Sequence, residues 1–269
     1  MNQEIIKGLP SETYHAAIGL SHSMLKNIEP TPADFMEYVS NGVETTPAMM
    51  LGTLTHSLVL EPSQPLPRIS IKPEGMRANS NDFKAWKAEQ GSNLIIGQDA
   101  WDTLMGMVRS VSTHPYARKV ISVGETEISL FHTRDGVLRK ARIDFAPHGN
   151  FLCDVKTCQD SGPVGFAKTI GEFSYFSQAA WYLDMWNDTH PEDQREGFMF
   201  VAVEKSAPYK VACHFLDPDD IELGRKVNHR RLLKWIECVE KNQWPGWSET
   251  FYQTKIPSWM RVKMDETIN

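Results

Sequence analysis

Asp144, Asp154 and Lys156 are the groups in this chain best suited, by kind and by separation, to catalysis. Residues 141–145 read as a strand end, residues 147–150 as a turn, and residues 151–156 as the returning strand. Side chains alternate faces along a strand, so Asp154 and Lys156 project to one side and Val155 to the other, toward a core. Asp144 ends the neighbouring strand, and the turn brings the two aspartates close at a sheet edge. Two carboxylates this close repel unless a cation stands between them. An oxygen-rich site of this kind suits Mg²⁺, with Mn²⁺ as a substitute. A lysine beside it can orient or deprotonate a water, or stabilise charge on a phosphate. Metal plus lysine is what phosphodiester hydrolysis needs. Taken alone, Asp-x-Lys is also an ordinary solvated sheet face.

Two further features narrow the reading. Gln178 and Tyr182 lie four apart on the helix after the Asp/Lys strand, hence on one helical face. They are placed to hydrogen-bond DNA phosphates or to hold the lysine, or simply to form a polar helix face. His56 sits in an otherwise apolar helical stretch over residues 49–60, with Gly52 and Leu60 along its face. A histidine there is a satisfied core or surface group, or, beside a carboxylate pair, a third ligand.

The surrounding scaffold can be read from the pattern. Ser21 caps a short helix near Met24, and a second helix starts near Ala33. Residues 62–80 contain four prolines and read as a loop. Helices come next over 81–90 and after Asp99, the latter amphipathic through Trp101, Leu104, Met105, Val108 and Val111. Residues 125–132, 137–145 and 151–156 form three consecutive antiparallel strands. One helix over 164–186 leads to a second hairpin, residues 197–203 and 209–215. Asp217 opens a long helix to about Lys241. The expectation is an α/β fold: a central mixed sheet flanked by helices, with a mainly helical portion over 1–115, the catalytic sheet and helices over 120–242, and an irregular tail over 243–269, all within one domain.

Composition agrees with a folded enzyme. The chain has 269 residues, 41% hydrophobic and 23% charged, ordinary for a globular protein. No apolar run reaches the roughly 18 residues of a membrane span, and the N-terminus does not read as an export signal. The four cysteines contain no close pair, which disfavours a Cys-ligated cluster and fits reduced thiols in a cytoplasmic setting. The net charge of −6 argues against a nonspecific polyanion binder. It leaves room for an enzyme that confines its basic residues to one groove.

Asp144, Asp154-Val155-Lys156, Gln178 and Tyr182 together resemble the PD-(D/E)XK nuclease signature with its Q-x-x-x-Y helix. Tyr14-His15, the run from Leu20 to Lys26, the run from Gly52 to His56, and the run from Val203 to Tyr209 resemble the RecE-type exonucleases, exodeoxyribonuclease VIII and its phage homologues. The resemblance spans about residues 10–240. It implies a restriction-endonuclease-like fold, with His56, Asp144, Asp154 and the Val155 carbonyl as metal ligands and Lys156 as the catalytic lysine. It implies that Gln178 and Tyr182 support the lysine or contact DNA. It further implies Mg²⁺-dependent degradation of one strand of linear duplex DNA from 5′ ends, a ring-shaped homo-oligomer of three or four subunits, and work beside a single-strand annealing protein in the host cytoplasm. The second acidic position is Asp rather than Glu, and either carboxylate binds Mg²⁺. Other readings are a different PD-(D/E)XK endonuclease and a catalytically silent DNA-binding module.

Basic residues complete the expectation. Arg142 and Lys140 share a strand face with Asp144, and Lys168 stands at the start of the next helix. Arg225, Lys226, Arg230, Arg231 and Lys234 form a cluster on the last long helix. Each group is either a phosphate track or a solvated face.

Overall fold

The structure is a computed structural model and describes residues 3–62, 68–77, 79–248 and 250–268. In chain order the elements are β1 (Gln3–Lys7), α1 (Ser11–Ala16), α2 (His22–Lys26), α3 (Pro32–Asn41), α4 (Pro47–Leu60), β2 (Ile69–Ile71), α5 (Asn81–Glu89), β3 (Leu94–Ile96), α6 (Gln98–Thr113) and α7 (Pro115–Val120). Then come β4 (Gly124–Arg134), β5 (Val137–Pro147), β6 (Phe151–Cys158), α8 (Pro163–Glu172), α9 (Tyr175–Thr189), β7 (Gly197–Glu204), β8 (Val211–Phe215), α10 (Pro218–Lys241) and α11 (Ser258–Ile268).

Six strands form one mixed sheet in the order β1-β4-β5-β6-β7-β8. Every neighbouring pair is antiparallel except β6 and β7, which run parallel. A parallel pair needs a crossover, and α8 and α9 supply it. On one side α9 packs on β1, β4, β5 and β7, with α10 and α2 against it. On the other, α4 lies on β5 and β6, α6 on β7 and α7 on β8. Each side has its own apolar core. Trp181, Leu183, Phe198 and Phe200 belong to the α9 side; Met107, Val111, Val155 and Val201 belong to the α6 side.

Local chemistry sets the boundaries that matter for the site. Ser21 Oγ accepts the Met24 N–H and starts α2. Thr46 Oγ1 accepts the Met49 N–H, and Pro47 fills the first turn of α4, where no donor is needed. Asp135 and Gly136, with φ of 52° and 75°, form a two-residue turn. Positive φ at both positions matches the strand twist and pairs Arg134 with Val137. That turn fixes the register of β4 on β5.

Several expectations need correction. The chain does not begin with helices: β1 extends the sheet beyond β4. Within 62–80, Ile69–Ile71 is a strand paired in parallel with Leu94–Ile96; residues 63–67 and 78 of that expected loop lie outside the described residues. The expected helix over 164–186 is two helices, because Ser174 takes a left-handed conformation (φ 57°) and ends the hydrogen-bond ladder. Asp99 lies inside the first turn of α6, whose N-cap is Gly97, and Met105 is exposed while Met107 is buried. The tail is not wholly irregular, since α11 occupies its end.

Candidate active site

β5 and β6 make a single ladder pair, Phe145 with Cys153. One residue further in the same register, Asp144 stands opposite Asp154. Val155 points into the α6-side core and is fully buried, so Asp154 and Lys156 share the other face. The Lys156 Nζ stands 2.6 Å from Asp154 Oδ2 and 4.6 Å from the centre of the Tyr175 ring. The strand alternation read from the sequence is therefore the geometry observed.

His56 reaches this edge from α4. Its Nδ1 lies 3.0 Å from Asp144 Oδ2. A fourth acidic or imidazole group arrives from β4. Glu127 falls opposite Asp144 in the β4–β5 register, between the pairs Thr126–Phe145 and Ile128–Ile143. Sequence reasoning missed it. The signal was present: the Asp135-Gly136 turn sets a register that, counted back along β4, puts Glu127 at that position.

The charges are strongly interdependent. Burial, then the neighbouring Asp144 charge, pushes Asp154 up to about 7, against the pull of Lys156 and His56. Burial would also raise Asp144, but His56 and Lys156 hold it well below the usual carboxylate range. Burial would lower His56; the Asp144 and Asp154 charges override it and lift the imidazole to about 9. Lys156 is likewise raised, its carboxylate neighbours outweighing burial. Lys156 is thus a cation here and suited to donating to developing negative charge rather than to taking a proton.

Gln178 and Tyr182 share a face of α9, as expected, but they bond each other: Gln178 Nε2 donates to Tyr182 Oη at 3.0 Å. The lysine is held by Asp154 and Tyr175 instead. Tyr182, with His22, Tyr38, Lys140, Arg142 and Asp144, lines a cleft of about 780 Å³. His22 is buried and hydrogen-bonded to Ser177 Oγ at 2.7 Å. Burial, with Lys26, Arg231 and Lys156 nearby, lowers it to about 3, so it is a neutral positioning group.

The basic residues divide. Lys140 does not lie free for phosphate: its Nζ donates to the carbonyls of Tyr14, His15 and Ala17 at 3.0, 3.2 and 2.6 Å. Arg142 pairs with Glu127 and donates to the Leu9 carbonyl at 2.8 Å. Lys168 lies within α8, past its start, and is exposed, with no ion pair among the described residues. On α10, Arg225 pairs with Asp184, Arg230 and Arg231 grip Glu29, and Lys234 donates to the Ile28 carbonyl. These side chains brace α10 against α9 and the loop after α2. A guanidinium within reach of a carboxylate takes it in a charge-assisted pair.

The donor set fits a divalent ion. Asp144 Oδ2 faces His56 and Asp154 Oδ2 faces Lys156, but Asp154 Oδ1 is buried with no hydrogen-bond partner. An orphaned buried oxygen of this kind is what a cation satisfies. Ligand atoms of His56, Glu127 and Asp144 lie within 4.8 Å of one another.

A mixed sheet opened between two strands, with opposed aspartates, a lysine two residues on and helices on both sides, defines the PD-(D/E)XK nuclease superfamily, whose members typically use a divalent metal. The chain belongs to the family described as a PDDEXK-like domain of unknown function (DUF3799), whose model matches residues 21–255. No curated protein matches the sequence significantly. Among solved structures, the crystal structure of a "Putative exonuclease" from Eubacterium rectale aligns with a TM-score of 0.65 at 16% identity, covering 94% of this chain and 97% of that one. That likeness is one of fold. The crystal structure of SSO0001 aligns with a TM-score of 0.28 at 13% identity over 77% of this chain and 84% of that one, and carries no weight. No helix among the described residues is long and apolar enough to cross a membrane.

Proposed function

We propose that this protein is a Mg²⁺-dependent deoxyribonuclease that degrades one strand of linear double-stranded DNA, 5′ to 3′, and leaves 3′ single-stranded overhangs. The observation that carries the hydrolytic reading is the opposition of Asp144 and Asp154, with Lys156 on the same face and the buried Asp154 Oδ1 left without a hydrogen bond. The family match and the fold likeness support it; the polarity, the duplex substrate and Mg²⁺ (with Mn²⁺ as a substitute) rest on the RecE-type resemblance.

His56, Asp144, Asp154 and the Val155 carbonyl are the residues that hold the ion. When bound, a divalent ion supplies charge neutralisation at the phosphate and lowers the pKa of water. The chain's own groups do the rest. Lys156, held by Asp154 at 2.6 Å, donates to a non-bridging phosphate oxygen as negative charge builds there. Tyr182, fixed by Gln178, forms part of the wall along which the strand lies. Exposed Lys168 offers a phosphate contact further along the strand; Arg142 contributes through Glu127 rather than by touching DNA.

A ring of three or four copies reconciles the net charge of −6 with prolonged hold on DNA, because enclosure slows dissociation without high affinity per subunit. Cooperation with a single-strand annealing protein and a cytoplasmic setting belong to the same reading. Digestion of linear and nicked-circular duplex, each end labelled separately, with Mg²⁺ or EDTA, tests it. Loss of 5′ label from linear duplex alone is expected. Internal cutting of the circular duplex away from its nick points to an endonuclease, and inertness on every DNA with both Mg²⁺ and Mn²⁺ to a binding module. Light scattering reports the assembly, and a strict monomer excludes the ring.

A further inference from the structure

Glu127, Asp144 and Asp154 form one row across three adjacent strands. The β4–β5 register places Glu127 opposite Asp144, and the β5–β6 register places Asp144 opposite Asp154. Residues directly opposite on antiparallel strands share a face. Glu127 is also held in a left-handed conformation inside a strand, with φ of 50°, which costs a non-glycine residue about 1–2 kcal/mol. That twist interrupts the ladder at the Glu127–Asp144 position and nowhere else between Gly124 and Arg134.

The side-chain ends meet. Ligand atoms of His56, Glu127 and Asp144 lie within 4.8 Å of one another. Opposite ligands around an octahedral Mg²⁺ or Mn²⁺ are about 4.2 Å apart, and adjacent ones about 3 Å. The His56–Asp144 separation of 3.0 Å already matches adjacent ligands. An independent observation points to a cation beside them: Asp154, opposite Asp144, is 1% exposed, and while its Oδ2 faces Lys156 its buried Oδ1 accepts no hydrogen bond. Glu127 itself is not free, because Arg142, two residues before Asp144, pairs with its Oε2 and is anchored by the Leu9 carbonyl.

We propose that Glu127 is a further ligand of the divalent ion at this site, and that Arg142 positions its carboxylate and competes with the ion for it. The inference rests on the nuclease reading above and deepens it. The ion is held by carboxylates from three strands and an imidazole from a helix, and its affinity is tempered by one arginine.

The test is Mn²⁺ binding to the full chain without DNA, followed by electron paramagnetic resonance. Glu127→Gln is expected to weaken binding at least about tenfold, the scale seen when groups around a metal are removed. Arg142→Gln is expected to tighten it. The double variant removes both half-buried charges together, which guards against misfolding from a lone one, and is expected to bind as weakly as Glu127→Gln. Unchanged affinity in Glu127→Gln or in the double variant overturns the ligand assignment, and unchanged affinity in Arg142→Gln overturns the competition. Asp154→Ala is the control. If it keeps native Mn²⁺ affinity, the metal site of the nuclease reading itself fails. If it loses binding while Glu127→Gln keeps it, only the present inference fails.

Discussion

Asp144 and Asp154 stand opposite each other one residue beyond the point where β5 and β6 last pair, at Phe145 and Cys153. The ladder does not continue to the two carboxylates, and one of the two, Asp154, is fully buried. Burial and the Asp144 charge both oppose its ionisation. A fold that keeps this arrangement carries a cost in the metal-free protein that neutral side chains would not.

Asp154→Asn should therefore raise the melting temperature of the protein in EDTA while removing most hydrolysis, a loss of about 100-fold or more for a lost charge-stabilising group. Thermal unfolding in EDTA beside a nuclease assay in Mg²⁺ checks both halves. A variant with near-native hydrolysis excludes Asp154 as a ligand.

Lys156→Ala should bind Mn²⁺ and DNA close to normally yet cut very slowly, because its Nζ is paired with Asp154 and, in the proposed reaction, donates to the phosphate. Single-turnover rates separate this from weakened binding. An equal fall in DNA affinity and rate would assign Lys156 to substrate capture.

Stability in EDTA should decline as pH rises. His56 has a folded pKa of about 9 against an ordinary 6.5. Its contribution is fully present below about pH 6.5 and is lost as pH rises through about 9. Asp154, at about 7 against 3.8, binds its proton more tightly folded than unfolded, so stability also falls between those values. Asp144 acts oppositely, being held low; its contribution is present above its ordinary 3.8 and lost in strong acid. Added Mg²⁺ or Mn²⁺ should stabilise more at pH 9 than at pH 6, since ligation needs deprotonated groups. Melting curves across pH with and without the ion read this directly, and His56→Asn should flatten the alkaline limb.

Arg231→Ala should lower stability by about 2 kcal/mol, the scale of a charge-assisted hydrogen bond lost with its partner left behind. Its guanidinium bonds Glu29 and Ser177 from a buried position on α10. The salt dependence of DNA binding should be unchanged, because no phosphate contact is removed. A shallower salt slope would return the α10 cluster to the DNA-binding surface.

Local period and turn chemistry were enough to establish part of the site. Alternation put Asp154 and Lys156 on one face and Val155 in the core, the turn over residues 147–150 brought Asp144 toward Asp154, and helical spacing put Gln178 beside Tyr182. Which distant groups meet was settled by long-range packing. The pairing of β1 with β4 joins segments more than 100 residues apart, and no local pattern in a five-residue strand names its partner. The basic residues of β5 and α10 look alike in sequence, yet Lys140 ends on three carbonyls and Arg231 on Glu29, because the packing of α1 and α2 brings those acceptors within reach. Glu127 lies between the two cases. Its place opposite Asp144 comes from counting back from the Asp135-Gly136 turn, but its approach to His56 depends on α4 crossing β5, a long-range contact that periodicity does not encode.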